Sequence, residues 1–550
     1  MINFPYEVVV VGSGATGGVA ALTLAESGVR VLVIEAGEDL TPKEAFGSEP
    51  LNTLNRLQGI ACRTKSNQAQ HPGYWKSNPK LYSDEKENPY FYPKDKPFLW
   101  TQGRQVGGRS LTWGGITLRL SNQELKASRY DGYGPEWPIE YSDLAPHYTE
   151  IEKRLKIHGR KDGLDNLPDG EFIEPLPFTS SEIDFRDRVQ NKLGYKVINS
   201  RGFGPHDKGT SKWPKSSSIG STLETALNTG KVEILSGFCV ERILLSQDRK
   251  SAKEIIVIDQ KNGKRHKLDC KLIVLCASTI QSLRILLNSE EEVDSKGLII
   301  PSGDLGCNLM DHISTCKFFK FPIDKTLKAK SINGEESPLS GAGSFFIPFE
   351  NRFFLDEKLN FIRRYGIWGG INRFEPPSFI KRYPNTHTGF LIAHGEVLAR
   401  KSNKVTLSSK KGKWNLAAPY INCEWGENEL NMVRHMNKTI DEIINMSGGK
   451  QLPFKDLINA PLTGKIFDNS LALNEKVPPP GYYIHEVGGA PMGSNETDSV
   501  TDPSCRLWRC KNILVVDGAC WPTSAWQSPT LTMMALTRRA CLKVLETKPY

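Results

Sequence analysis

The stretch Val8-Val9-Val10-Val11-Gly12-Ser13-Gly14-Ala15-Thr16-Gly17 constrains the fold more than any other part of this 550-residue chain. Four β-branched residues in succession, with no polar alternation, suit a strand buried on both faces, as in a parallel sheet. The glycines that follow are spaced G-x-G-x-x-G. Residues 18 to 27 carry helix-forming Ala and Leu up to Gly28 in a C-cap position. Val29-Arg30-Val31-Leu32-Val33-Ile34-Glu35 reads as a second buried strand. A strand, a glycine turn, a helix and a second strand ending in an acid about twenty residues on make a dinucleotide site. Gly12 permits the tight turn, Gly14 lets a pyrophosphate approach the backbone, and Gly17 lets the helix pack close. Ser13 and Thr16 lie within the turn, and the helix N-terminus faces the phosphates. The Glu35 carboxylate is placed to accept hydrogen bonds from ribose hydroxyls. The turn does not by itself distinguish FAD from NAD.

Strands of the same buried type recur in the middle of the chain (271–279, KLIVLCAST) and near its end (512–519, NILVVDGA). Between about 310 and 480 the character changes to separate short strands joined by loops, the pattern of an antiparallel sheet. The expected fold is therefore α/β, α+β overall: a discontinuous Rossmann-like nucleotide domain with a second domain inserted. The nucleotide domain is assigned 1–37, 97–125, 228–310 and 486–550, and the inserted, substrate-binding domain 126–227 and 311–485. Residues 38–96, rich in Pro, Asn, Lys and Tyr, are expected to form an excursion with little regular structure. A helix is expected from about Tyr141 with Ser142 as its N-cap. The polar, glycine-containing segment 331–344 is a candidate mobile loop.

Composition narrows the function classes. The net charge of +9 is mild for this length and its basic residues are scattered without an aromatic stripe, which argues against nucleic-acid binding. Eleven cysteines show no metal-ligand spacing and read as reduced thiols. No apolar run approaches the roughly 18 residues of a membrane span, and the N-terminus lacks a signal-peptide pattern. The expectation is a soluble, cytoplasmic protein with no bound metal.

Further runs appear in a fixed order: GRQVGGRSLTWGG (103–115), WPIEYSDLAPHY (137–148), GCNLMDH (306–312), HEVGGAPMG (485–493) and NILVVDGACWPTSAWQSPTLTMMAL (512–536). Together with the glycine turn they resemble the glucose-methanol-choline (GMC) oxidoreductases, in the branch of pyranose 2-oxidase-like enzymes and bacterial sugar or polyol dehydrogenases. The segment ASTIQSLRILLNS matches that family loosely, with Leu283 where Pro or Ser is usual. The resemblance implies an FAD-binding domain. It places Gly107 and Gly108 against the flavin, in the run that also holds Arg104 and Ser110. It brings the strand around Val240 to the adenine, and Asp517, beside Gly518, near the pyrophosphate or ribityl chain. Some members of the branch attach FAD through a histidine; Thr112 occupies that position here and cannot form the linkage, so the FAD is expected to be non-covalent.

The same resemblance implies oxidation of a CH–OH group of an alcohol, sugar or polyol. An imidazole titrates near pH 6.5, which suits removal of a hydroxyl proton, and His485 stands in the run that resembles the family's catalytic-histidine segment. The family's partner residue is a second His or an Asn directly before a Pro, and here that place falls on Ser528. Ser528 before Pro529 is also a strong helix start. Two roles stay open for this place: Gln527 or Ser528 orienting the substrate, or capping alone. The N-terminus of the following helix, with the Thr530 amide, would lie near flavin N1 and stabilise the reduced anion. His312 reads as structural or near the flavin and not as a base, Trp526 as lining the pocket or packing, and Met533-Met534 as core. Two other classes remain: an FAD-containing lyase of the same family, and a non-catalytic flavoprotein. The natural substrate, the electron acceptor and the oligomeric state are left open.

Overall fold

A computed structural model describes residues 6–290, 297–323, 338–349, 359–374, 381–383, 385–457 and 477–547. Half of the expected loop at 331–344 thus lies outside the described residues. Five parallel strands form one sheet in the order Ile513–Val515, Leu272–Leu275, Val8–Val11, Val31–Glu35, Val232–Ser236. The first four strands in this order are wholly buried, as their unbroken apolar runs require. Val232–Ser236 closes one edge and is only partly buried. Helix Ala15–Glu26 lies over the sheet against helix Thr530–Thr547. Helix Tyr141–Leu155 packs on the latter, with Tyr148 Oη 2.7 Å from Thr532 Oγ1. That helix begins at Tyr141 as expected, but its cap is Glu140, whose backbone N donates to Asp143 Oδ2, and Ser142 lies inside it.

A three-stranded antiparallel meander, Phe238–Leu245, Ala252–Asp259 and Arg265–Asp269, flanks this sheet and carries Val240. The segment after Glu35 is more regular than its composition suggests. It contains helices Pro42–Phe46 and Glu49–Ala61 before three short 3-10 turns. Ser48 precedes the second of these helices and Pro50 stands in its first turn, a start signal that the scarcity of buried apolar residues obscures.

The second unit is a six-stranded antiparallel sheet in the order Lys450–Gln451, Ile313–Pro322, Thr386–Gly395, Tyr365–Ile371, Phe345–Pro348, Ile198–Asn199. Period-two alternation divides its faces. Thr315 and Lys317 turn to helix Glu427–Ser447, bonding Asn437 and Asp441 at 2.9 and 2.7 Å. Phe319 stacks on Phe185 of helix Ser180–Leu193. The other face presents Phe346, Trp368 and His394, and Trp526 of the first unit packs on it through Phe346 and Gly366. A fully buried ion pair also ties the helix layer to the sheet: Arg373 donates to both Glu182 oxygens at 3.0 and 2.7 Å. Arg373→Leu strands the Glu182 charge and is expected to cost about 3–5 kcal/mol of stability, read as a shift in the urea midpoint; a midpoint equal to wild type would show that the pair contributes nothing.

Candidate active site

The glycine turn is built as the sequence requires. Gly12 has φ of +100°, and a Cβ there would stand 2.4 Å from the Cys276 carbonyl oxygen. A Cβ on Gly17 would stand 1.9 Å from the Gly12 oxygen. Gly14 differs: its φ is −68°, and the nearest atom to an added Cβ is the Gly107 oxygen at 4.0 Å. Opposite it, Gly107 and Gly108 both have positive φ, and a Cβ on Gly108 would meet Gly14 Cα at 3.3 Å. Two glycine-bearing turns thus face each other closely enough to leave backbone alone at the contact.

Ser13 ties this cradle together. Its N and Oγ donate to Glu35 Oε2 at 3.1 and 2.6 Å, and its Oγ also accepts from Gly107 N at 3.0 Å. Gly37 N donates to Glu35 Oε1. Three of about four acceptor positions of the Glu35 carboxylate are thereby used, which leaves one for a ribose hydroxyl. Ser110 Oγ donates to Gly107 O and accepts from Ser218 N, and Ser218 Oγ donates to Ser13 O. Thr16 lies buried beside Cys276 and Thr112 ends the 3-10 turn Gly108–Leu111. Arg104 points to Cys239 Sγ at 3.6 Å, next to Val240, whose carbonyl accepts from the buried Arg284. Asp517 accepts from Ser282 Oγ and Ala519 N, and burial pushes its carboxyl up to about 6. A Cβ on Gly518 would meet Thr279 Oγ1 at 2.5 Å and the Glu486 oxygen at 2.8 Å, so this turn lies against the histidine segment.

His485 reaches its place through an antiparallel contact. Met310 and Val487 exchange both backbone hydrogen bonds, at 2.8 and 2.9 Å. Two steps along each chain, that register sets His312 opposite His485, and their Nδ1 atoms are 2.9 Å apart. One step along, Asp311 faces Glu486. Asp311 accepts from the backbone N of Gly481, Tyr483 and His485 at 2.9, 3.2 and 2.9 Å, which pins the loop carrying the histidine. Burial, then the charge of Glu486, pushes the Asp311 carboxyl up to about 7. Glu486 Oε2 in turn accepts from Arg109 Nη1 at 2.9 Å, and Arg109 also donates to the Ile484 carbonyl.

Two further rings pack against the pair. Tyr483 lies 4.8 Å from His485, centroid to centroid, and accepts from Trp368 Nε1 at 3.0 Å. His394 stacks between Tyr483 and His312, at 4.8 and 5.5 Å. The imidazoles do not form a metal-ligand set among the described residues. Burial above all, then the neighbouring His312, His394 and Arg109, hold His485 well below the ordinary imidazole range. Burial likewise brings His312 down to about 4 and His394 far below its usual value. The cluster is therefore neutral at physiological pH, with His312 and His485 engaged with each other through Nδ1.

The run after Trp521 lies behind this cluster, with the carbonyls of Ser524 and Ala525 beside the His312 ring. Trp526 packs and donates to Glu124 Oε1. Gln527 is fully buried and its Nε2 donates to the Asn166 carbonyl at 3.3 Å, while Gln527 Oε1 and both side-chain polar atoms of Asn166 have no partner among the described residues. Ser528 is buried, and the first helical bond is accepted by Pro529, so the helix starts at Thr530, one residue later than a Ser528 cap implies. Met534 is core, and Met533 lies partly buried against Gly518. Sequence reasoning did not single out Arg109, Asp311, His394, Tyr483 or Glu486.

Residues 6–314 and 399–537 match the N- and C-terminal family models of the GMC oxidoreductases. The chain is a GMC oxidoreductase. This GMC oxidoreductase is 24% identical to the 2-methyl-1,2-propanediol dehydrogenase of Mycolicibacterium austroafricanum, across 97% of the chain and 94% of that protein. It is 22% identical to the fructose dehydrogenase large subunit of Gluconobacter japonicus, across 98% and 97%. Its fold matches the crystal structure of pyridoxine 4-oxidase from Mesorbium loti with a TM-score of 0.62, at 17% identity over 98% of this chain and 99% of the other. Members of the family bind FAD and oxidise CH–OH groups, and the two-glycine cradle, with room at Gly14 for a pyrophosphate, fits that cofactor.

Proposed function

We propose that this GMC oxidoreductase oxidises a secondary or primary alcohol of a sugar or polyol, with His485 as the base. The parallel-sheet unit is its FAD-binding domain and the antiparallel unit its substrate domain, divided as the sequence suggests. Gly12, Ser13, Gly14, Thr16, Gly17 and Glu35 hold the adenosine and pyrophosphate, with Arg104 and Val240 at the adenine. Gly107, Gly108, Ser110, Asp517, Gly518 and the Thr530 amide hold the rest of the cofactor. When bound, FAD supplies the hydride acceptor. Thr112 offers no imidazole for a covalent link, so the FAD is non-covalent. His485 Nε2 takes the hydroxyl proton as the carbon is oxidised, and Arg109 places positive charge beside the site. Gln527 or Ser528 orients the substrate, Gln527 with its unpartnered Oε1. The observation that carries this reading is a half-buried, neutral imidazole engaged through Nδ1 beside the Asp517–Gly518 turn.

The relatives named for a propanediol and for fructose favour polyol and sugar substrates. All eleven cysteines are free thiols, which supports a reducing, cytoplasmic setting, and no helix among the described residues is long and apolar enough to cross a membrane. The test is an anaerobic screen of sugars, polyols and aromatic alcohols, followed by readmission of oxygen. Bleaching of the flavin by at least one polyol or sugar is expected. A yellow protein that no alcohol bleaches contradicts the reading and points to a non-catalytic flavoprotein, and turnover with the flavin oxidised throughout points to a lyase. Recovery of colour in oxygen then separates an oxidase from a dehydrogenase.

The pH profile has a definite sign. The base works when neutral, and its folded pKa lies below the usual value, so the neutral form persists as pH falls through 6.5. The acid limb of kcat/KM is expected well below pH 6.5. A limb at or above that value would contradict the lowered pKa of His485.

A further inference from the structure

Two neutral imidazoles facing each other through Nδ1 at 2.9 Å share a single proton, so one ring donates and the other accepts. The base role proposed for His485 decides which: a bare Nε2 leaves that ring's one proton on Nδ1. The carbonyls of Ser524 and Ala525 lie beside the His312 ring and favour a proton on it. The His312 proton then stands on Nε2, and its Nδ1 is the acceptor.

We propose that His312 is a positioning residue that holds His485 as the Nδ1–H tautomer and so leaves Nε2 bare to take the substrate proton, a role that rests on His485 being the base. The register of Met310 with Val487 holds the two rings together, and Asp311 fixes the His485 backbone from the same segment. In serine hydrolases a carboxylate orients the catalytic histidine in this way. Here a neutral ring does it. When Nε2 takes the proton, the O–H bond breaks, an N–H bond forms, and the resulting imidazolium already donates from Nδ1 to His312. The groups facing the pair are His394, Tyr483, the guanidinium of Arg109 next to His485, the Asp311 carboxyl on the backbone amides, and Glu486 paired with Arg109. No carboxylate oxygen among these bonds either ring in the described structure, so the tautomer is left to His312.

The test uses the holoenzyme with 15N-labelled histidine. Its two-bond spectra, with His485 assigned by comparison with His485→Ala, are expected to show Nδ1 protonated and Nε2 bare. His312→Leu removes the acceptor and is expected to give mixed tautomers of His485. Its kcat for flavin reduction should fall about 10²–10⁴-fold with KM nearly unchanged. His312→Asn places an amide oxygen close to the lost Nδ1 and is expected to restore the tautomer and keep the rate within about tenfold of wild type. A merely structural role would lower the melting temperature of both variants and leave the tautomer unmoved. An Nε2-protonated His485 in the wild type overturns the proposal, as does a His312→Leu enzyme with the wild-type rate. If His312→Leu does not fold, the wild-type and Asn spectra still decide. Should His485→Ala itself reduce flavin at the wild-type rate, the base assignment fails, while the spectra still report separately on the polarity of the pair.

Discussion

Gly14→Val is expected to give a folded protein without flavin. The backbone at Gly14, with φ −68° and ψ −159°, is extended and open to any L-residue, and the nearest atom to the new Cβ lies 4.0 Å away. The fold therefore has room for the added Cβ. The proposed pyrophosphate site does not, because the branched side chain projects between the facing turns at Gly14 and Gly107–Gly108, where that site needs bare backbone. FAD affinity should fall by at least about a hundredfold, or ~2.7 kcal/mol. The far-UV circular dichroism and melting temperature should match those of flavin-stripped wild type. Gly17→Val is the contrast. Its side chain would sit on the Gly12 oxygen at 1.9 Å, so helix Ala15–Glu26 cannot close on its strand, and an insoluble product is expected. A Gly14→Val protein as yellow as wild type would place the cofactor elsewhere.

His485→Ala is expected to do the reverse, keeping its flavin and losing its chemistry. None of the cradle contacts passes through the imidazole, and the backbone amide of residue 485 still donates to Asp311. What goes is the proposed proton acceptor, a contribution of about 10²–10⁴-fold to the rate. Anaerobic rapid mixing with the best alcohol from the screen reads this as slower loss of flavin absorbance. Reduction as fast as wild type would remove His485 from the reaction.

The nucleotide half of this fold is legible because its signals are local. Four valines, a glycine turn and a helix lie within about twenty residues of one another, and each constrains the next. Strand Val232–Ser236 escapes such reading because this edge strand is only half buried and its V-E-I-L-S pattern is weak. Helix Glu49–Ala61 escapes it for a related reason: Leu51, Leu54 and Leu57 recur every three residues yet are largely exposed, so its apolar pattern does not mark a core. The histidine pair is harder still. His312 and His485 are 173 residues apart, and only the Met310–Val487 register brings them together. His394 is hidden inside the apolar strand Thr386–Gly395, where alternation says that it points away from Leu391 and Ala393 but not what it meets. Gln527 has the length to reach the substrate, yet its amide nitrogen goes to the Asn166 carbonyl, a partner that no local pattern announces.

The most direct measurement is a crystal structure of the holoenzyme with a bound, slowly reacting alcohol. The account predicts that His485 Nε2 lies about 3 Å from the alcohol oxygen, with the reacting carbon over the flavin. A hydroxyl bound instead to another group, or a flavin lying outside the Gly14–Gly108 cradle, would contradict it.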